Sequence, residues 1–188
     1  YFAPGFKSGG PVQTIKNMMD SLGHEFEFRV VTRDRDVLDD SAYADVEVSR
    51  WTTFNSGFVY YLPPRELKLV TFKKIISETP HHLVYLNSYF DPVFTLLPLI
   101  ARLGLRASDR RFLIAPRGEC ATGALSVKRF KKQFYRLVTN RIGLYSNLDW
   151  HASTLLEAQD IQRELGALAR RIHVAPDLPR SIYQQSQC

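Results

Sequence analysis

Short apolar runs and helical stripes alternate along this chain almost from end to end. Val12, Ile15, Met19 and Leu22 form the first stripe, on one face at helical spacing. Pro11 suits the opening turn of that helix, because its fixed φ matches and its missing N–H would have had no partner; Gly23 stops it. Residues 26–32 alternate and carry β-branched side chains, which predicts a strand. The pattern then weakens over 37–64, with short strands or a small hairpin expected at 45–48 and 58–61. Leu67, Val70 and Ile75 predict a helix over about 65–77, and 82–87 reads as a short apolar strand.

Asp91 caps and Pro92 starts the next predicted helix, which runs to Leu103 with Gly104 as its stop. That segment is apolar nearly all round, so burial on more than one side is expected. A strand follows at 111–115, then a helix over 126–141 whose stripe is Val127, Phe130, Phe134, Leu137 and Val138. Residues 148–152 read as a strand. Thr154 and Glu157 form a capping box for a helix to Leu165, which Gly166 ends, and 171–175 is the last strand. Alternating strands and helices, with most strands short and continuously apolar, are the signature of a parallel sheet covered by helices on both faces. The fold expected is α/β, a doubly wound Rossmann-like domain over 1–175, with 176–188 as the start of a linker. Tyr1 and Phe2 run straight into a turn, as though a first strand lay upstream.

The chain has 188 residues, 45% of them hydrophobic, enough for a well-packed core. The longest apolar stretch, 93–103, is interrupted by Thr95, Pro98 and Arg102, which argues against a membrane span. Cys120 and Cys188 have no metal-ligand spacing, so neither a disulfide framework nor a zinc site is expected, and a reducing cytoplasm fits. The formal charge of +6 favours anionic partners: nucleotides, phosphate-bearing substrates, lipid headgroups or nucleic acid.

In an open α/β sheet the loops after the strands converge on one edge, so candidate chemistry collects there. Gly9 and Gly10, ahead of the first helix, present free backbone N–H groups suited to a phosphate, with Lys7 beside them. The turn matches neither G-x-G-x-x-G nor the Walker loop, and a plain turn is the competing reading. Arg33 and Asp34 open a run of alternating charges that serves either a ligand or its own solvated pairing. Asn87 and Ser88 can hydrogen-bond a hydroxylated ligand or cap a turn. Arg117, between Pro116 and Gly118, can offer a planar fork to phosphate or carboxylate, or pair with Glu119 or Asp91. Glu119 can act as a general base or hold sugar hydroxyls, and His151 is either a structural histidine or a catalyst. Lys128, Lys132 and Arg136 stack on the 126–141 helix near three aromatics, as a wet helix face or as a surface for anionic lipid.

Taken in order, Phe6-Lys7-Ser8-Gly9-Gly10-Pro11-Val12, Thr32-Arg33-Asp34-Arg35-Asp36, Tyr85-Leu86-Asn87-Ser88, Ala115-Pro116-Arg117-Gly118-Glu119 with Gly123-Ala124-Leu125-Ser126, and Trp150-His151-Ala152-Ser153 with Glu157 resemble the N-terminal half of family 4 glycosyltransferases of bacterial polysaccharide biosynthesis. The resemblance implies one half of a GT-B fold, with the acceptor held mainly by this half and the nucleotide-sugar donor by a C-terminal half. It implies transfer of a glycosyl group with retention of configuration and without a cofactor or metal. Gly9 and Gly10 would lie near the donor diphosphate, and Lys7, Asn87, Arg117 and Glu119 would line the acceptor side, with Arg33, Asp34, Ser88 and His151 as further contacts. Arg117 and Glu119 are the candidate catalytic pair. The acceptor would be a saccharide or lipid-linked, at the cytoplasmic face of the inner membrane. Many members of that family place a histidine where this chain has Arg117, so that histidine's role has no matching residue here. The paired-glutamate motif belongs to the C-terminal half, so the chain alone is expected to be inert. Two rival readings are a dinucleotide-dependent reductase, which lacks its glycine fingerprint here, and a non-catalytic anion-binding or membrane-docking module. No nucleic-acid-binding motif is present.

Overall fold

The computed structural model describes residues 1–104, 111–121 and 143–180, and these divide into two compact units. The first comprises Tyr1–Leu67 with the stretch beginning at Asp177; the second is Lys68–Pro176. The predicted helix over 126–141, with Lys128, Lys132 and Arg136, lies outside the described residues.

In the first unit, helix α1 (Gly10–Leu22) precedes strands β1 (Phe28–Arg33), β2 (Trp51–Phe54) and β3 (Gly57–Leu62). The sheet order is β1-β3-β2, with β1 parallel to β3 and β2 antiparallel to it. The hairpin expected in the weak stretch is therefore present, but its first strand is Trp51–Phe54; of the 45–48 segment only Val48 makes an isolated bridge, to Tyr61. Asn55, at φ 48°, turns the chain between β2 and β3. Gly57 is required on steric grounds, since a Cβ there would lie 2.5 Å from the carbonyl oxygen of Phe28.

The core of this unit is Phe2, Val12, Met19, Val59 and Tyr61, with the Phe2 and Phe54 rings edge to face at 5.2 Å. Val12 and Met19 of the predicted stripe are buried. Asn17, a residue the apolar pattern does not select, is buried with them. Its amide is satisfied: Oδ1 accepts from Gln13 at 2.6 Å and Nδ2 donates to the Leu178 carbonyl at 2.8 Å.

The second unit holds α2 (Leu69–Glu78), β4 (Leu83–Leu86), a wide π-type turn (Pro92–Leu96) leading into α3 (Leu97–Leu103), β5 (Arg111–Ile114), β6 (Asp149–Ala152), α4 (Leu155–Leu165) and β7 (Arg171–Val174). Its sheet is parallel throughout in the order β4-β5-β6-β7 and is flanked by helices, a Rossmann-like arrangement. In such a sheet successive side chains of each strand point to opposite faces.

The pairing register sorts the side chains accordingly. Leu86, Phe112, Ile114, Trp150 and Ala152 share one face and are buried. Leu83, Tyr85, Arg111, Leu113, Asp149, His151, Arg171 and His173 share the other, where none is fully buried. These strands are thus more alternating than their apolar reading implied. Trp150 lies at the centre of the buried face, with its ring 5.8 Å from that of Tyr89 and 5.9 Å from that of Tyr145. Among the described residues no helix is long and apolar enough to cross a membrane.

Trp150→Ala should lower stability by about 3–5 kcal/mol through the cavity it leaves. Urea unfolding followed by circular dichroism would measure this loss, and a change under 1 kcal/mol would contradict the placement of Trp150 at the core.

Candidate functional site at the carboxyl ends of the strands

The first unit contains Lys7, Gly9, Gly10, Arg33 and Asp34. Gly9 caps α1 with φ 61°, and a Cβ at Gly9 or at Gly10 would meet nothing within 4 Å, so the turn faces open space. Lys7 Nζ forms an ion pair with Asp39. The Arg33 guanidinium stacks over the Tyr1 ring at 5.5 Å. Asp34 is buried and accepts from Arg35 Nε at 2.8 Å, the self-pairing that the charge run also allowed.

The residue that organises this loop is one sequence reasoning passed over as part of that run. Buried Asp36 accepts from the backbone N–H groups of Phe6 at 2.7 Å, Lys7 at 3.0 Å and Val37 at 2.7 Å. Burial works to raise its pKa, but these N–H groups and the Lys7 charge outweigh it and hold the carboxyl below its ordinary value. Nearby, Tyr43 is pushed up to about 12, first by burial and then by the negative charge of Asp36.

The second unit brings together Asn87, Ser88, Arg117, Glu119 and His151, and adds Tyr85 and Glu157. Asn87 and Ser88 follow β4, Arg117 and Glu119 follow β5, and His151 is in β6, so all stand at one edge of the sheet. Arg117 has φ 54° and Gly118 φ 77°, a left-handed pair that turns the chain sharply after Pro116. From this turn Arg117 Nε donates to Asn87 Oδ1 at 2.7 Å and an Nη group donates to the Tyr85 hydroxyl at 2.8 Å, with the guanidinium 6.0 Å from the Tyr85 ring centre.

The Tyr85 hydroxyl also lies 2.7 Å from His151 Nδ1, and His151 Nε2 lies 2.8 Å from the carbonyl oxygen of Ala175. A carbonyl only accepts, so Nε2 carries the proton. With its proton on Nε2 the ring accepts at Nδ1 from Tyr85, whose oxygen accepts from Arg117. The result is one directed chain from Arg117 through Tyr85 and His151 to Ala175. Tyr85 and His151 meet across β5, where strand alternation puts small Ala115 on the same face.

Glu119 accepts from Ser88 Oγ at 3.0 Å and from the backbone N–H groups of Tyr89 at 2.5 Å and Phe90 at 3.2 Å. It therefore ties the turn after β5 to the turn after β4. Ser88 Oγ in turn accepts from the Asp91 N–H at 3.2 Å, and Asp91 caps the next turn through the N–H groups of Val93 and Phe94.

Glu157 makes the second such tie. Its Oε1 accepts from the Gly118 N–H at 2.7 Å, and its Oε2 accepts from both the N–H and the hydroxyl of Ser153 at 2.7 Å. The capping box was legible as Thr154 and Glu157, and Thr154 Oγ1 does accept from the Glu157 N–H. The reach to Gly118 was not. Burial tends to raise the Glu157 pKa, but the Ser153 and Gly118 hydrogen bonds and the Arg117 charge together lower it.

Cys120 is fully buried and its thiol is pushed up to about 12, first by burial and then by surrounding carboxylates, so it is a packing residue and not a nucleophile. Among the described residues no group of three His, Cys, Asp or Glu side chains is arranged to hold a metal.

A depressed carboxyl pKa stabilises the fold fully above the unfolded value, and that stabilisation is lost as the pH falls through the lower folded value. Glu157 and Asp36 should both contribute in this sense, below the ordinary values of 4.5 and 3.8 respectively. Glu157→Gln should cost about 1–3 kcal/mol at neutral pH and flatten the acid limb of stability against pH. Urea midpoints from pH 7 down to pH 3 would show this, and an unchanged acid limb would contradict it.

No family model, no curated protein and no solved structure matches the chain.

Proposed function

We propose that this chain is the acceptor-side half of a retaining GT-B glycosyltransferase of the family 4 type, acting in cell-surface polysaccharide synthesis. In this reading its Rossmann-like sheet belongs to a doubly wound domain. A C-terminal half supplies the nucleotide-sugar site, and no cofactor or metal takes part. The acceptor is a saccharide or a lipid-linked sugar met at the cytoplasmic face of the membrane.

The observation that carries the reading is the convergence of Asn87, Tyr85, Arg117 and His151 at the carboxyl ends of three neighbouring parallel strands. That edge is where ligands bind in open α/β sheets. Amide, phenol, guanidinium and imidazole groups are also the donors and acceptors that recognise hydroxyls and phosphate. Arg117 is the ligand contact, and the open glycine turn before α1 suits an anion at a helix N-terminus. Glu119, with Ser88 and the Tyr89 and Phe90 N–H groups around its carboxylate, holds the acceptor-side loop in shape.

The test is transfer from a panel of radiolabelled nucleotide sugars to membrane extracts by the full-length product of the reading frame. The account expects transfer with retention of configuration, and a roughly ten- to hundredfold loss in Arg117→Ala. Absence of transfer and of donor hydrolysis across the panel would overturn it, as would turnover by residues 1–188 alone.

A further inference from the structure

Arg117 stands on a backbone conformation that an L-residue with a side chain disfavours, and its φ of 54° is followed by 77° at Gly118. Such a turn persists only where its surroundings determine it. Contacts to its side chain and to its backbone serve that purpose. Asn87 and Tyr85 hold the guanidinium, and one carboxylate oxygen of Glu157 holds the Gly118 N–H. Asn87 and Tyr85 fix the side chain; the Glu119 N–H closes the turn on the Pro116 carbonyl at 3.1 Å, and Glu157 ties its Gly118 N–H to α4.

Glu157 is well placed for this. It is buried, and its other oxygen is anchored twice by Ser153, once through the backbone and once through the hydroxyl. It also lies in the first turn of α4, where the helix dipole favours a negative charge. The strut therefore runs from the N-terminus of α4, through a carboxylate, to the residue after Arg117.

We infer that Glu157 is a positioning residue for Arg117, holding the strained Pro116–Gly118 turn so that the guanidinium meets Asn87 and Tyr85 in one orientation. The inference rests on the reading of Arg117 as a ligand contact, because a pre-set guanidinium matters only if it meets a ligand. The physical gain is preorganisation: the entropy of orienting a long side chain is lost on folding and not again on binding.

A carboxylate is needed on chemical grounds. Each carboxylate oxygen of Glu157 meets a backbone N–H, of Gly118 or of Ser153, that can only donate, so a glutamine would turn its NH2 group toward one of them and leave that contact repelled. Ser153→Ala, by contrast, removes one donor to Oε2 and leaves the Gly118 contact in place.

The experiment follows solvent exchange of the Arg117 Nε–H by nitrogen-resolved NMR on residues 1–188, with Arg117→Lys used to assign the signal. Exchange of core amides is recorded in the same samples as the measure of global stability. Glu157→Gln should speed Arg117 Nε–H exchange by about tenfold or more, relative to the core amides, whereas Ser153→Ala should change it by less than about twofold. If Glu157→Gln does not fold, Glu157→Asp carries the test with the same expected direction. Unchanged Nε–H exchange in the Glu157 variant would overturn the inference. Exchange that rises only in step with the core amides, or equally in Ser153→Ala, would overturn it too. None of these outcomes depends on glycosyl transfer, so failure here and failure of the transferase reading are separate results.

Discussion

Backbone N–H groups in a tight turn cannot bond to the strand they leave, and in a packed protein they cannot be left bare. In this chain buried or partly buried carboxylates answer that demand. Asp36 takes the N–H groups of Phe6, Lys7 and Val37; Glu119 takes those of Tyr89 and Phe90; Glu157 takes those of Gly118 and Ser153. Each ties together two segments that are far apart in sequence. The loops that carry the candidate chemistry have defined shapes because of these ties.

The same device accounts for the division of labour among the acidic residues. A carboxylate already receiving two or three N–H donors has its charge stabilised and its lone pairs occupied, which suits holding better than proton transfer. The lowered pKa values of Asp36 and Glu157 agree with that role. Arg117, Tyr85 and His151 are different, because they bond to one another in a directed chain across three strands and lie at the half-exposed edge of the sheet.

Much of the second unit was legible in the sequence because its signals are local. Apolar runs bounded by polar residues placed β4, β5, β6 and β7 within a residue or two, and Thr154 with Glu157 marked the start of α4. Arg117, Asn87 and His151 could be assigned to one edge from the βα alternation alone. The first unit was harder. Periodicity does not name a strand's neighbour, so the separate three-stranded sheet and the antiparallel β2 were hidden, and Trp51–Phe54 is too short to show a period. The carboxylate ties were hidden for a related reason: they join residues 29 to 39 positions apart. Tyr85 was read as an apolar strand residue, and only register shows that its hydroxyl faces His151.

The central claim is that Arg117, Tyr85 and His151 form one directed hydrogen-bonded chain. Nitrogen NMR of the His151 ring tests it most directly, in the chain itself and in Tyr85→Phe. The account predicts a ring protonated at Nε2, with Nδ1 accepting a hydrogen bond that Tyr85→Phe abolishes while the Nε2 proton stays in place. A ring protonated at Nδ1, or an Nδ1 signal indifferent to Tyr85→Phe, would contradict it.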